Sequence, residues 1–535
     1  MAFGTVKSAT ISGINVEMIN VEADVSNGLP MFNMVGYLSS EVKEAGERVR
    51  TSLKNSGFEY PVKRIIVNLS PATVRKRGAI FDLPIAMAIM IAAGQIPQEK
   101  VNNILVVGEL GLDGKLLKVN GLLAIVMEAK GLGITTFIVP KENEQEGKLI
   151  EGVKVYSFTV IREVYNFLIA LKSENRKDVL DPKESIPIKT ISEIEGLKEP
   201  KECHEINKYI EKDESKRGGV DFRDIYGQKA VKRAVEIAVA GGHNVLLIGP
   251  PGSGKSLIAQ AIPSILPCLE NRERLEITKI YSIMGLLKER NPLITLPPFR
   301  AVHHTTTKAS LVGGGIIPRI GEITLAHKGV LYLDELPEFS RTVIEVLRQP
   351  LEDKTIEITR TTGSYSFPAD FILVCAMNPC PCGMYPDLEK CTCNPTQISG
   401  YLGKISQPFL DRIDISIEAP RLKYADLNSG GEEESSAVVR ERVAESRRRQ
   451  YQRNGGQVTN ANLNPRSVGE HCALTIEGEE LMEQAYHKLH LTARSYHKIL
   501  KVARTIADME GSQLILPKHL REGIAYRTLD KKYWR

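Results

Sequence analysis

The run Gly249-Pro250-Pro251-Gly252-Ser253-Gly254-Lys255-Ser256 places a lysine and a hydroxyl directly after a glycine-rich turn, a spacing suited to holding a polyphosphate. Gly252 and Gly254 let the backbone curl so that its N–H groups converge on anionic oxygens, while Lys255 reaches the β- and γ-phosphates and Ser256 ligates Mg²⁺. The alternative is a glycine-rich turn that holds no ligand. Downstream, the apolar run Gly329-Val-Leu-Tyr-Leu333 ends in Asp334 and Glu335. The first carboxylate can hold the metal's hydration shell, and the second can polarise water for attack on the γ-phosphate. Asn378 ends a third apolar run, Phe371–Met377, and its amide can orient the same water; before Pro379 it also suits a plain turn.

Such groups work together only if strands bring their tips to one edge. Val245–Ile248 reads as a buried strand before the glycine turn, and Leu257–Ala261 as the helix after it. Three strand tips carrying Lys/Ser, Asp/Glu and Asn resemble the Walker A, Walker B and sensor 1 layout of AAA+ ATPases. That resemblance implies an α/β P-loop core with a parallel sheet and ATP at its carboxyl ends. Related ATPases contact adenine near the equivalent of Phe222–Gln228, just before the amphipathic helix 229–240. His303 and His304 invite a metal, but adjacent strand residues face opposite ways and a third ligand is lacking. The Gly313–Gly315 run reads as a mobile loop, and residues 352–368 as a hairpin carrying Lys354 and Arg360. In a ring of subunits both would line the central pore. Arg412 is either a salt-bridged structural arginine or a finger that enters the next subunit's site. Cys380, Cys382, Cys391 and Cys393 can set four thiolates around one Zn²⁺, with free loop thiols as the alternative. Helices are predicted over 432–451, 474–489, 493–510 and 517–529, with Arg494 placed as the sensor 2 arginine above the γ-phosphate. The run Arg447–Arg449 reads as a solvated face.

A chain of 535 residues exceeds one core. A net charge of +5 is too small to argue for nucleic acid by itself, so any basic surface must be local. The longest apolar stretch, 85–93, is too short for a bilayer. Eight cysteines and no basic-then-apolar leader point to a reducing cytoplasm and no membrane. Four parts are expected: 1–172, a charged linker 173–220, an ATPase core 221–420 with the four-cysteine insertion, and a helical lid 421–535. In the first part, 8–17, 64–69 and 136–140 read as strands, 41–56 and 121–130 as helices, and 104–117 as two strands around Asp113-Gly114. From Gly78 to Asn143 it resembles the α+β proteolytic domain of Lon proteases. The turn Phe81–Ile85 lacks their serine, and Leu122 stands where their lysine would follow a paired-glycine turn. A non-proteolytic scaffold is expected, with Lys63, Arg64, Arg75, Lys76 and Arg77 either supplying a DNA-contacting groove or, as most such charges do, merely facing solvent.

The phosphate loop, His303-His304, Gly313–Gly315, Leu333–Phe339, Met377–Gly383, Leu410–Asp414 and Lys501–Asp508 together resemble the YifB/ComM family of magnesium-chelatase-like AAA+ proteins. The likeness covers nearly the whole chain. It departs at Gly36–Ser40 and at Ser406-Gln407-Pro408, neither of which touches the nucleotide loop. It implies a hexameric helicase that uses ATP and Mg²⁺ to drive branch migration of branched or single-stranded DNA. The competing class is a chelatase-type motor that remodels a protein partner.

Overall fold

The computed structural model describes residues 3–171, 220–315, 319–360, 363–387, 389–421 and 433–534. Of the expected linker, 173–219 lies outside the described residues. Packing divides the chain into two units: residues up to 171 with Arg274–Ile294, and residues 220 to Glu273 with Thr295 onward. Among the described residues no helix is long and apolar enough to cross a membrane.

The first unit is built on a seven-stranded mixed sheet. Its strands are β1 (Phe3–Ser12), β2 (Asn15–Ser26), β3 (Met31–Val35), β4 (Arg64–Ser70), β5 (Ile104–Val106), β6 (Thr136–Pro140) and β7 (Lys154–Phe158). They run in the order β3-β4-β2-β1-β5-β6-β7. The single strand expected over 8–17 is two, because Gly13 takes φ 68° and the chain reverses into an antiparallel pair. Helix α1 (Ala45–Asn55) and the wholly buried α2 (Asp82–Ala92) pack with the sheet, so the apolar stretch is a core helix.

Asp82, in the turn that carries the nucleophile in Lon-type proteases, is buried, and Arg48 of α1 grips both its oxygens at 2.8 and 2.9 Å. Burial raises the Asp82 pKa and the guanidinium opposes it. Helix α3 (Leu122–Gly131) is apolar at its start, with Leu122 and Leu123 fully buried. Segment Arg274–Ile294 packs here, where Gly121 N–H donates to the Ser282 carbonyl at 3.0 Å and Leu275 and Ile283 cover the α3 core. The expected groove of five cations is not intact: Lys76 is buried with its ammonium on the Pro71 carbonyl. Arg75 lies 5.5 Å over the Tyr37 ring.

The second unit holds β8 (Val245–Ile248), β9 (Phe299–Val302), β10 (Val330–Leu333), the hairpin β11 (Thr355–Arg360) and β12 (Gly363–Pro368), β13 (Ile372–Met377) and β14 (Ile415–Glu418). Five of these form an all-parallel sheet, β9-β10-β13-β8-β14. Strands β8, β10 and β13 are buried throughout, which is why they read as continuous apolar runs. Helices α4 (Lys229–Gly241) and α5 (Lys255–Ile265) pack on this sheet. Then come α6 (Ser436–Asn454), α7 (Ile476–Lys488), α8 (Ala493–Met509) and α9 (Pro517–Ala525). The basic run on α6 is not simply solvated, since Arg447 donates twice to the Val239 carbonyl, at 3.2 and 2.7 Å.

Candidate nucleotide site

Parallel strands put their carboxyl ends at one edge, and the register there is specific: Ile248 pairs with Met377, Leu333 with Cys375, and Val302 with Leu333. The residues that follow β8, β10 and β13 therefore share one edge. Gly252 and Gly254 take φ 75° and 86°, and the space a side chain would fill at either is open. Helix α5 begins at Lys255, so its unpaired N–H groups face the loop.

Lys255 is buried, and its ammonium donates to the carbonyls of Gly249 at 2.7 Å and Pro250 at 2.9 Å and to Asn378 Oδ1 at 3.2 Å. Burial lowers its pKa, and the Asp334 charge pulls it back up. The Ser256 hydroxyl donates to Asp334 Oδ2 at 2.8 Å and accepts from Tyr332 at 3.2 Å. Burial raises the Tyr332 phenol, so it stays a donor at neutral pH. The structure thus brings together Lys255, Ser256, Asp334 and Asn378. Glu335 follows with φ 51°, an unusual backbone for a glutamate that costs roughly 1–3 kcal/mol. Its carboxylate lies 3.5 Å from His304 Nδ1.

That histidine contact was not foreseen. His303 and His304 lie beyond the end of β9, and their rings sit 4.1 Å apart rather than on opposite faces. Gln228, at the end of the stretch expected near adenine, donates to the carbonyls of Ser253 at 3.1 Å and Pro420 at 2.6 Å, tying the phosphate loop to the chain after β14. Gly313 and Gly314 pair with Ile320 and Arg319, which fixes two of the three glycines expected to be mobile. Arg360 donates to the Gly315 carbonyl at 3.3 Å, so hairpin and glycine loop adjoin. Lys354 sits at the hairpin base, 3.6 Å from Asp370.

Arg412 and Arg494 meet on one carboxylate, Glu352, at 2.8 and 2.9 Å. Arg412 is 8% exposed and also donates to the Pro408 carbonyl; Arg494 is half exposed. Among the described residues, no arginine is bonded to Lys255, Ser256, Asp334, Glu335 or Asn378. Cys380, Cys382, Cys391 and Cys393 are free thiols whose sulfurs all lie within 4.8 Å of one another.

A glycine-lined phosphate loop after β8 of a five-stranded parallel sheet, with an asparagine at the tip of the adjacent central strand β13 and an acidic pair at the tip of β10 beyond it, defines a P-loop ATPase of the AAA+ class. Three family models match the chain: magnesium chelatase, subunit ChlI, over 221–427; subunit ChlI of Mg-chelatase over 21–143; and its ChlI C-terminal part over 433–527. The chain is 40% identical to competence protein ComM of Haemophilus influenzae and 39% identical to YifB of Escherichia coli. In both cases 99% of this chain and 98% of the relative are covered. It is also 27% identical to the magnesium-chelatase 67 kDa subunit of Chlorobaculum parvum over 168 residues, 30% of this chain and 23% of that subunit. The chain belongs to the YifB/ComM family of magnesium-chelatase-like AAA+ ATPases.

Proposed function

We propose that this ATPase assembles into a ring, a hexamer, and couples ATP hydrolysis to translocation or branch migration of branched or single-stranded DNA, in recombination or natural transformation. The observation that carries the ring is the gathering of Arg412 and Arg494 on Glu352, while among the described residues no arginine is bonded to the five groups at the strand tips. Phosphoryl transfer develops charge that an arginine stabilises, so a neighbouring subunit supplies it. The DNA arm rests on the adjoining Arg360 hairpin and glycine loop and on the full-length likeness to a competence protein.

In this reading Lys255 neutralises the β- and γ-phosphates. Glu335 accepts the proton of the attacking water, and Asn378 orients that water. Ser256 and Asp334 fit Mg²⁺, because their hard oxygens stand 2.8 Å apart; when bound, the metal neutralises charge on the same phosphates. Cys380, Cys382, Cys391 and Cys393 are the ligands for Zn²⁺. The helices after 433 act as the lid, and the first unit is a non-proteolytic scaffold. The test is ATP hydrolysis with and without forked and four-way DNA, with particle mass measured in ATP, ADP and no nucleotide. Stimulation together with a ring-sized particle is expected. A monomer in every nucleotide state with no response to DNA would refute it.

The three ChlI models and the chelatase relative favour a second reading, a motor that remodels a protein partner. Absence of any DNA response together with tight binding of a large partner protein would select it.

A further inference from the structure

From Cys380 to Asn394 the described residues form no helix or strand, so no regular backbone ladder shapes this loop; turn bonds such as Gly383 N–H to the Cys380 carbonyl at 3.0 Å and Cys391 N–H to the Asp387 carbonyl at 2.8 Å, together with the clustered sulfurs, do. Three sulfur separations are 3.4 Å (Cys380 to Cys382), 3.8 Å (Cys380 to Cys391) and 3.6 Å (Cys382 to Cys391). A disulfide would bring a pair to about 2.05 Å. Zn–S bonds of about 2.3 Å at tetrahedral angles set sulfurs roughly 3.8 Å apart, close to what is seen. Four soft thiolates in that arrangement select Zn²⁺ over hard cations.

The loop also touches the nucleotide site at two places. Asn378, bonded to Lys255, lies two residues before Cys380. Gly383, at φ 80°, packs so tightly on Pro251 of the phosphate loop that a β-carbon there would stand 2.4 Å from Pro251 Cδ. On its far side the Tyr385 N–H donates to Cys380 Sγ at 3.4 Å, and the Tyr385 ring packs edge-on against Tyr533 at 6.1 Å.

We propose that Cys380, Cys382, Cys391 and Cys393 bind one Zn²⁺ whose role is to clamp the nucleotide site, holding Gly383 against Pro251 and Asn378 toward Lys255. The clamp rests on the nucleotide-site reading above. Neither zinc content nor ADP binding depends on DNA, so the DNA-motor reading can fail without touching it.

The experiment measures zinc by elemental mass spectrometry, and affinity for a fluorescent ADP, on the full chain purified without chelator. One zinc per chain is expected. Cys391→Ser/Cys393→Ser is expected to lose the metal and to bind ADP about ten-fold more weakly or worse, with unchanged helix content. Should that variant fail to fold, a mercurial reagent that releases zinc from the wild type supplies the same comparison. Excess thiol with zinc chloride should then restore ADP affinity. Wild-type protein without zinc overturns the site. Zinc release with unchanged ADP affinity overturns the clamp. A zinc-loaded protein that binds no ADP overturns the nucleotide-site reading and the clamp with it, leaving the metal site standing.

Discussion

Asp414→Asn is expected to loosen the joint between the parallel sheet and α8. Asp414 stands just before β14, where its Oδ1 receives the Lys498 ammonium at 2.7 Å. Its Oδ2 accepts the Asn244 N–H at 3.0 Å and faces His243 Nδ1 at 3.8 Å. Burial alone would push this carboxyl up. Lys498 and His243 outweigh it and hold the group well below the usual carboxylate range. Burial lowers the Lys498 ammonium, with Asp414 pulling it back. The Asp414 direction is the better guide to the pair, because three nitrogens converge on its oxygens.

The side chains of Asp414 and Lys498 are 12% and 15% exposed, so removing one charge leaves the other nearly dry, at a cost of about 3–5 kcal/mol. At roughly 2 °C per kcal/mol for a unit of this size, Tm falls by about 6–10 °C. Because the folded pKa is depressed, the Asp414 contribution is fully present above its unfolded value of about 3.9 and is lost as pH falls toward the folded one. The deficit of the variant is therefore constant from about pH 6 to 8 and narrows below about pH 4. Thermal melts of Asp414→Asn, Lys498→Met and the double variant read this directly, and the double should recover more than half the loss. A single variant within about 1 °C of wild type, or a double no better than the sum of the singles, refutes the buried-pair account.

Glu335→Gln should keep ATP affinity while turnover falls by about 10²–10⁴-fold, measured as phosphate release; near-normal turnover removes the proton-acceptor role. Lys255→Ala should weaken nucleotide binding. Arg412→Ala should be inactive alone yet regain hydrolysis when mixed with Lys255→Ala chains, since each supplies what the other lacks at a shared interface; mixtures no more active than their parts contradict an arginine acting between subunits. Arg360→Ala should reduce the slope of log affinity for single-stranded DNA against log salt by about 0.7, read by fluorescence anisotropy, and an unchanged slope places that cation off the DNA.

Local runs made much of the second unit legible. The phosphate loop packs its groups into eight consecutive residues, and each acidic or amide partner ends an apolar run that reads as a strand and is one, buried throughout. Helix α8 was placed to within a residue because its apolar face repeats cleanly up to Met509. What stayed hidden depends on strand order. His304 meets Glu335 because β9 lies beside β10 in parallel register, and nothing in either stretch states that pairing. The convergence of Arg412 and Arg494 on Glu352 likewise joins residues far apart in the chain. In the first unit, Lys76 read as a surface cation by type alone, whereas the Pro71 carbonyl draws it inside.

Arg274–Ile294 has a practical consequence for anyone dissecting this molecule. A fragment starting near 220 would carry Leu275 and Ile283 with no α3 to shelter them, and one stopping near 171 would leave the Gly121 amide and the oily flank of α3 bare. Both halves would emerge as sticky, ill-behaved products, and because the backbone visits the front unit a second time, no single cut divides the two cleanly.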